Sequence, residues 1–380
     1  MLKLFRLPLV PLAFICVGVI RLFARFGILI RFGQFWSERI GHLAGNTEVY
    51  LCEKDHGLHK GFHIWLHRGS ISNEQLAKMF GRVMYVGGRF WAIAGLINSW
   101  FRGHEKHTVG SMQVDRDIHN LLEKYPCHIA FTEEEERFGR SVTQGFGKWV
   151  CLIVRDGAYL PDKQYHAYRD SKIADYELAA LALADRGYTV FRMGAKVEEP
   201  FKVNHPKIID YASNGMRSDF MDVYLGAKCE FCLSTGTGFD AIPYIFRRPI
   251  CYVNYVPVEY FQTYERGFVI WKHHYKDGKR MSFQEIIASG AGQFMRAEDF
   301  QQAGIKLVDN TPEEIRDAVL EMASGLSTEP QEEFWKAYPR SISPYNGKPL
   351  HGEIRIRVGQ KFLEGYEQRR RTDELLATGS

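Results

Sequence analysis

The 380-residue chain lacks most of the features that assign a protein quickly. Cysteine is sparse and odd in number: Cys16, Cys52, Cys127, Cys151, Cys229, Cys232 and Cys251, most of them inside apolar runs. That excludes a disulfide framework and fits reduced, buried thiols. Cys229 and Cys232 form a C-x-x-C, but no second ligand pair at zinc spacing accompanies them. On a strand the two thiols would point to opposite faces. Charge of one sign is also scarce: 49 Lys and Arg against 45 Asp and Glu leave a net charge of +4. The only short basic run, residues 369–371, sits near the tail, so no nucleic-acid partner is expected. The chain has no G-x-S-x-G nucleophile elbow, no P-loop and no G-x-G-x-x-G. His56, His59, His63 and His67 recur every three or four residues, but they cross a Gly-containing turn and then a strand, so they share no helix face. No metal, no cofactor and no Asp-x-Asp metal–diphosphate clamp is expected.

What is present is ordinary globular composition: 45% apolar and 25% charged residues. The length exceeds what one core usually covers, so two domains are expected. The first 36 residues stand apart. Leu7 to Ile20 is uncharged and strongly apolar, and Leu22 to Ile30 continues it with only Arg25 charged. No small-residue cleavage site follows, which argues against a signal peptide. A spanning helix would carry Arg21 and Arg25 near the bilayer midplane, where each costs a few kcal/mol. A helix lying in the interface lets both arginines reach headgroups and is the favoured reading. A spanning anchor comes second and a core helix of a soluble protein third.

Beyond Trp36 the texture is mixed α/β. Short strands are expected at Glu48–Cys52, Phe62–His67 and Val83–Val86. Helices are expected at Asn73–Phe80, capped by Ser72 or Asn73, and at Asp115–Lys124. Glu133 to Glu136 reads as a solvated helix face, and Ser141–Lys148 as a hinge. The second half is more regular. Trp149-Val-Cys-Leu-Ile-Val is a continuous apolar run, the mark of a strand covered on both faces. Strands follow at Tyr188–Met193, Lys207–Asp210, Cys229–Leu233 and Ile250–Asn254. They alternate with helices at Tyr176–Arg186, Ser218–Gly226, Thr237–Phe246 and Thr311–Met322. That alternation means a parallel sheet with crossover helices.

Three segments carry candidate chemistry. Ser234-Thr-Gly-Thr-Gly lies between a strand and a helix. Such small-residue loops let backbone amides approach a phosphate, and Ser234, Thr235 and Thr237 add hydroxyls beside Gly236 and Gly238. The alternative is a tight turn with a capping hydroxyl. Arg155 follows the first strand of this half, where open α/β sheets bind ligands, and its guanidinium suits a phosphate. Arg192 ends the next strand. In the first half His42, in Arg39-Ile-Gly-His-Leu-Ala, offers an imidazole that titrates near neutrality as a base. Capping or purely structural roles compete for each.

Taken together, Ser37-Glu-Arg-Ile-Gly-His-Leu-Ala, Tyr168-Arg-Asp-Ser, Gly187-Tyr-Thr-Val-Phe-Arg-Met-Gly, Asp210-Tyr-Ala, Arg217-Ser-Asp-Phe-Met-Asp and Ser234-Thr-Gly-Thr-Gly resemble a family of bacterial glycosyltransferases of surface-polysaccharide assembly. The resemblance runs from about Ser37 to the Tyr366 region. It implies an α/β chain of the GT-B type: two Rossmann-like domains facing across a cleft, preceded here by a membrane-associating helix. The implied division is a membrane segment at 1–36, an acceptor domain at 37–146, a nucleotide-sugar domain at 147–335 and a tail at 336–380 that crosses back to the first domain. It further implies a nucleotide-sugar donor and a glycan or polyprenyl-linked acceptor, at the cytoplasmic face of the inner membrane, with no metal. His42 is then the base. Arg155, Arg192 and Ser234–Gly238 hold the donor diphosphate, with Asp219 and Asp222 on its ribose or sugar. A sugar-nucleotide epimerase or phosphorylase of the same shape, and a non-catalytic scaffold, are the competing readings.

Overall fold

The computed structural model describes residues 9–109, 116–158, 164–263, 266–325, 331–336, 338, 341–342, 347 and 349–366. The expected basic run at 369–371, residues 1–8 and the end of the tail lie outside them. The chain divides into two units, the first comprising residues 1–115 and 125–132, the second 116–124 and 133–380. The last break between them along the chain is at 132/133, and residues 116–124 of the second unit interrupt the first. Residues 30–35, inside the expected membrane segment, form a strand of the first unit's sheet.

The first unit opens with helix α1, Leu9–Phe23. Pro11 stands in its first turn, where a missing N–H costs nothing. Strand β1 (Ile30–Phe35) pairs in parallel with β2 (Phe62–His67), from Ile30 opposite Phe62 to Phe35 opposite His67. Parallel bridges at Phe32–Thr108 and Trp65–Val86 extend the sheet on both sides. Helices α2 (Thr47–Asp55), α3 (Glu74–Val83) and α4 (Arg89–Asn98) surround it. Asn73 caps α3 by accepting the Leu76 amide at 2.9 Å, the role the sequence suggested. The core gathers Val10, Ala13, Val17 and Ile20 of α1 against Ile93, Ala94 and Ile97 of α4 and against Phe32, Ile64 and Leu66 of the strands.

The second unit begins its regular structure with α5, Glu133–Thr143. A seven-stranded, all-parallel sheet follows, made of β3 (Trp149–Ile153), β4 (Thr189–Arg192), β5 (Ile208–Ile209), β6 (Phe231–Ser234), β7 (Ile250–Tyr255), β8 (Gly267–Trp271) and, far along the chain, β12 (Arg357–Val358). Crossover helices α6 (Glu177–Asp185), α7 (Asp219–Lys228) and α8 (Ala241–Ile245) join these strands. A small antiparallel sheet holds β9 (His273–Lys276), β10 (Lys279–Arg280) and β11 (Ile305–Val308), with α9 (Phe283–Ala288) and α10 (Ala297–Gln302) between them. Helix α11, Pro312–Ala323, carries a Thr311 capping box with Pro at its first turn. Every residue of β3, β4, β6, β7 and β8 is buried, as continuous apolar runs require.

Mixed α/β architecture with parallel sheets is as expected, with local corrections. Glu48–Cys52 is helical, not a strand, because α2 takes up the turn that starts at His42. Val86 makes one bridge rather than belonging to a strand. Residues 116–124 form turns, not a helix: Asp117 Oδ2 accepts the Leu122 amide at 2.7 Å and closes the chain on itself. The helix after Gly238 starts only at Ala241 and runs five residues. The described part of the tail belongs to the second unit, where β12 pairs with β8 and Phe362 and Tyr366 pack on Trp271.

Candidate functional site

The strand order is β12-β8-β7-β6-β3-β4-β5. From β3 the chain moves outward through β4 and β5, then returns to the other side of β3 and moves outward through β6, β7 and β8. The reversal lies between β3 and β6. At such a switch point the two following loops part at the strands' carboxyl ends and leave a crevice for a ligand. The register brings Ile153 opposite Ser234 at the last rung, so the next residues are Val154-Arg155-Asp156 on one side and Thr235-Gly236-Thr237 on the other.

Hydrogen bonds lock these two loops to a third segment, Tyr168–Ser171. The Arg155 amide donates to Thr235 Oγ1 at 2.9 Å, and the Ser171 amide donates to the Arg155 carbonyl at 3.0 Å. Arg155 Nε pairs with Asp170 Oδ1 at 3.1 Å, and Arg169 Nη2 donates to the Gly236 carbonyl. Lys272, just past β8 and almost fully buried, donates to the Asp170 carbonyl at 2.7 Å and pairs with Asp309 at 2.8 Å. Two guanidiniums thus stand at the crevice. Burial, then the Arg169 charge, push the Arg155 pKa down despite Asp170. Burial likewise raises the Asp170 carboxyl, against the pull of Arg155 and Lys272. Like charges crowded in a half-buried site cost free energy, which an added anion offsets. Arg169 Nε and Thr237 Oγ1 are buried there with no hydrogen-bond partner among the described residues.

The loop itself differs from the expected cradle of open amides. The Gly236 amide donates to Ser234 Oγ at 3.0 Å, and the Thr237 amide donates to Asp240 Oδ2 at 2.7 Å. Ser234 Oγ also donates to Asp240 Oδ2, at 2.8 Å. Asp240 thus already occupies the Thr237 amide and the Ser234 hydroxyl, and the guanidiniums of Arg155 and Arg169 stand beside the loop as further donors. Gly236 adopts φ +76°, and a Cβ there would stand 3.1 Å from Tyr255 Cε2, which explains glycine at this position. Gly238 is exposed.

The other sequence-selected residues have different settings. Arg192, 1% exposed, pairs with Asp210 at 3.2 Å, lies 3.9 Å from Asp156 and donates to the Glu199 carbonyl. It braces the β3 and β4 loops from beneath. Asp222 is buried in α7, where it accepts from Tyr211 Oη at 3.0 Å and Arg217 Nη2 at 2.8 Å. Burial raises its pKa to about 6, against the opposing pull of Arg217 and Tyr211. Asp219 is more exposed and sits 3.9 Å from the same arginine. Both acids are thus drawn toward the α7 start rather than into the crevice loops. His42 begins the turn that leads into α2, after β1, with its ring edge-on to Trp36 at 4.8 Å.

An Asp-x-Asp does occur, contrary to expectation, at Asp115-Arg116-Asp117. Asp115 lies outside the described residues, and Arg116 is spent on the Tyr260 and Phe261 carbonyls. The described residues place one metal-capable group together, in the first unit: Glu48, Cys52 and His128, with ligand atoms within 4.8 Å of one another. His128 lies between Glu48 and Asp55, with its Nδ1 3.1 Å from Glu48 Oε1 and its Nε2 3.1 Å from Asp55 Oδ2. Burial lowers the His128 pKa, but Glu48 and then Asp55 outweigh it and hold it above the ordinary value. Sequence reasoning selected Arg155 but gave no role to Arg169 or Asp170, although Tyr168-Arg-Asp-Ser was itself a motif; neither the pairing with Arg155 nor the bond to Gly236 can be read without the sheet order.

No family model matches the chain, and no curated protein sequence does. Among solved structures it is similar to the ADP-heptose lipopolysaccharide heptosyltransferase II of Escherichia coli, at 12% identity over 80% of this chain and 100% of that one, with a TM-score of 0.43. It is similar to a family 9 glycosyl transferase of Veillonella parvula, at 10% identity over 78% and 97% of the two chains, with a TM-score of 0.45. It is also similar to the iron-containing dodecameric glycosyltransferase TibC of enterotoxigenic E. coli, at 11% identity over 79% and 78%, with a TM-score of 0.39. Likeness at this level transfers no activity.

Proposed function

We propose that the chain is a glycosyltransferase whose second unit holds a nucleotide-sugar donor, and that it moves the sugar to a hydroxyl of a glycan or lipid-linked acceptor. The carrying observation is the Arg155–Arg169 pair at the switch point between β3 and β6, tied to the Ser234–Gly238 loop by Thr235 and Gly236. A diphosphate there relieves the repulsion between the two guanidiniums and meets Arg169 Nε and Thr237 Oγ1, which have no partner among the described residues. The set of motifs that resembles bacterial glycosyltransferases supports the same reading.

In the transfer step the acceptor oxygen bonds the anomeric carbon as the bond from that carbon to the diphosphate breaks. The acceptor proton passes to a base, for which His42 is the candidate. Negative charge grows on the leaving diphosphate, and Arg155 and Arg169 are already in place to receive it. Preorganised charge of this kind is worth about 3 kcal/mol per donor.

The test is thermal unfolding against UDP, GDP, CMP, dTDP and ADP. A ligand held only by the folded state adds about 2.7 kcal/mol at a hundredfold excess over Kd. One nucleotide is expected to raise the midpoint, and Arg155→Ala is expected to remove that shift. No shift with any of the five moves the reading to a non-catalytic scaffold. For the base, His42→Ala is expected to abolish transfer while the nucleotide shift survives; transfer near the parent rate refutes the assignment.

A further inference from the structure

We infer that α1 and α4 of the first unit form an in-plane docking face for an anionic lipid bilayer. Helix α1 has two apolar faces. Val10, Ala13, Val17 and Ile20 are spent on the unit's core. Leu12, Ile15, Val19 and Leu22 face outward and are exposed, and Phe26 beyond the helix is 74% exposed. Their spacing of three and four residues makes one continuous stripe. The end of α4 and the turn after it widen that stripe. Phe14 packs on Trp100 at 5.8 Å and on Phe101 at 6.4 Å, and both partners are themselves exposed. A contiguous patch of large apolar side chains is uncommon on a soluble surface and marks a docking site.

Charge selects the occupant. No Asp or Glu occurs in residues 1–37 or in residues 75–104, although the chain has 45 of them. Among the described residues, the exposed ionic groups on α1, on α4 and in the turns up to Arg102 are the cations Arg25, Arg89 and Arg102, and the first carboxylate beyond them is Glu105. An apolar stripe with an aromatic pair and a rim rich in arginine is complementary to acyl chains beneath anionic headgroups. A second copy of this face would bring the same cations together with no carboxylate between them.

The helix lies in the interface and does not cross it. With its continuation to Phe26 the helix is long and apolar enough to cross a membrane by length and composition, so its side contacts, not its length, decide for the in-plane position. Arg21 fastens α1 sideways: it bonds Asn98 Oδ1 at 3.2 Å and the Arg102 carbonyl at 2.5 Å, and stacks over the Phe101 ring at 5.3 Å. Drawing α1 into a bilayer would strip the inner stripe from its core.

This inference is independent of what the second unit transfers. The test is flotation of the full chain with vesicles of phosphatidylglycerol and phosphatidylethanolamine, beside vesicles of phosphatidylcholine alone. Binding is expected to the anionic vesicles and to weaken with salt. Ile15→Glu with Leu22→Glu is expected to lower partitioning about a hundredfold while the thermal midpoint stays near the parent's, since both positions are exposed. Arg25→Glu with Arg102→Glu should lower binding to anionic vesicles alone. Full binding by the Ile15/Leu22 variant overturns the proposal. So does failure of the parent chain to bind vesicles, whether or not light scattering shows a dimer that the variant loses. Protection of residues on both sides of α1 from protease on opposite faces of a sealed vesicle overturns it in favour of a spanning helix.

Discussion

The two units use helix amphipathicity in opposite ways. In the second, strands are buried on both faces and the polar groups gather where β3 and β6 part, so chemistry sits at the strand ends. In the first, the parallel ladder is two strands wide, and helix α1 is apolar on both its inner and outer faces. One unit hides its apolar surface and concentrates charge; the other keeps apolar surface outside and carries no carboxylate along α1, β1 or α4. The difference teaches that apolar content alone does not say whether a segment is core. The periodicity of what remains exposed does.

The strongest way to break the comparison is to put a carboxylate into the α1 core. Val17→Asp buries an unpaired charge and is expected to cost about 4 kcal/mol. Hydrogen exchange should then rise across β1 and β2 while β3 and β6 keep their protection. Equal loss in both sheets would mean that the units are one energetic body. On the other unit, Gly236→Val forces a β-branched residue to φ +76° against the Tyr255 ring, at a cost of about 2–3 kcal/mol. Its nucleotide-dependent midpoint shift should vanish, while flotation on anionic vesicles is unchanged. A retained shift would show that the switch-point loop is not where the nucleotide lies.

A smaller perturbation sharpens the site. Arg169→Ala removes the bond to Gly236 and one of the two cations. It is expected to weaken nucleotide affinity about tenfold to a hundredfold, with Arg169→Lys intermediate because an ammonium keeps the charge and loses the fork. Equal affinity in Arg169→Lys and parent would reduce the role to charge alone, and equal affinity in Arg169→Ala would remove it.

The second unit was legible where local pattern and burial agree. Trp149–Ile153, Thr189–Arg192 and Phe231–Ser234 are apolar runs bounded by turns, and each fell where its run predicted. Arg155 was found because it follows a strand. Arg169, with Asp170, was noted only as lying after the same strand, because its place depends on a pairing with Gly236, 67 residues away in sequence. The same limit hid Asp240, which takes the Thr237 amide that a phosphate was expected to take. In the first unit, Glu48–Cys52 has the β-branched and aromatic composition of a strand. Its burial against the sheet and the bond of Glu48 to His128 come from helix geometry, which five residues cannot announce. The outer stripe of α1 was visible as hydrophobicity, but only packing against α4 shows which half of it is spent.

The finest contrast is in pH. Asp222 in the second unit and His128 in the first both have raised folded-state pKa values, by different routes. For Asp222 burial dominates and carries it from 3.8 to about 6. For His128 burial acts downward, but Glu48 and then Asp55 outweigh it. A group whose pKa is raised on folding binds its proton more tightly in the native state, so stability falls as pH rises through the interval between the two values. The Asp222 interval runs from 3.8 to about 6 and amounts to roughly 2–3 kcal/mol. The His128 interval begins near 6.5 and extends upward, with a smaller effect because Asp55 is half exposed to solvent. Denaturation midpoints of parent minus Asp222→Asn should therefore decline between pH 4 and pH 6 and stay level above, while parent minus His128→Gln stays level to about pH 6.5 and then declines. A His128→Gln difference that grows with pH would mean that the imidazole is neutral and that its two carboxylate contacts are not ion pairs.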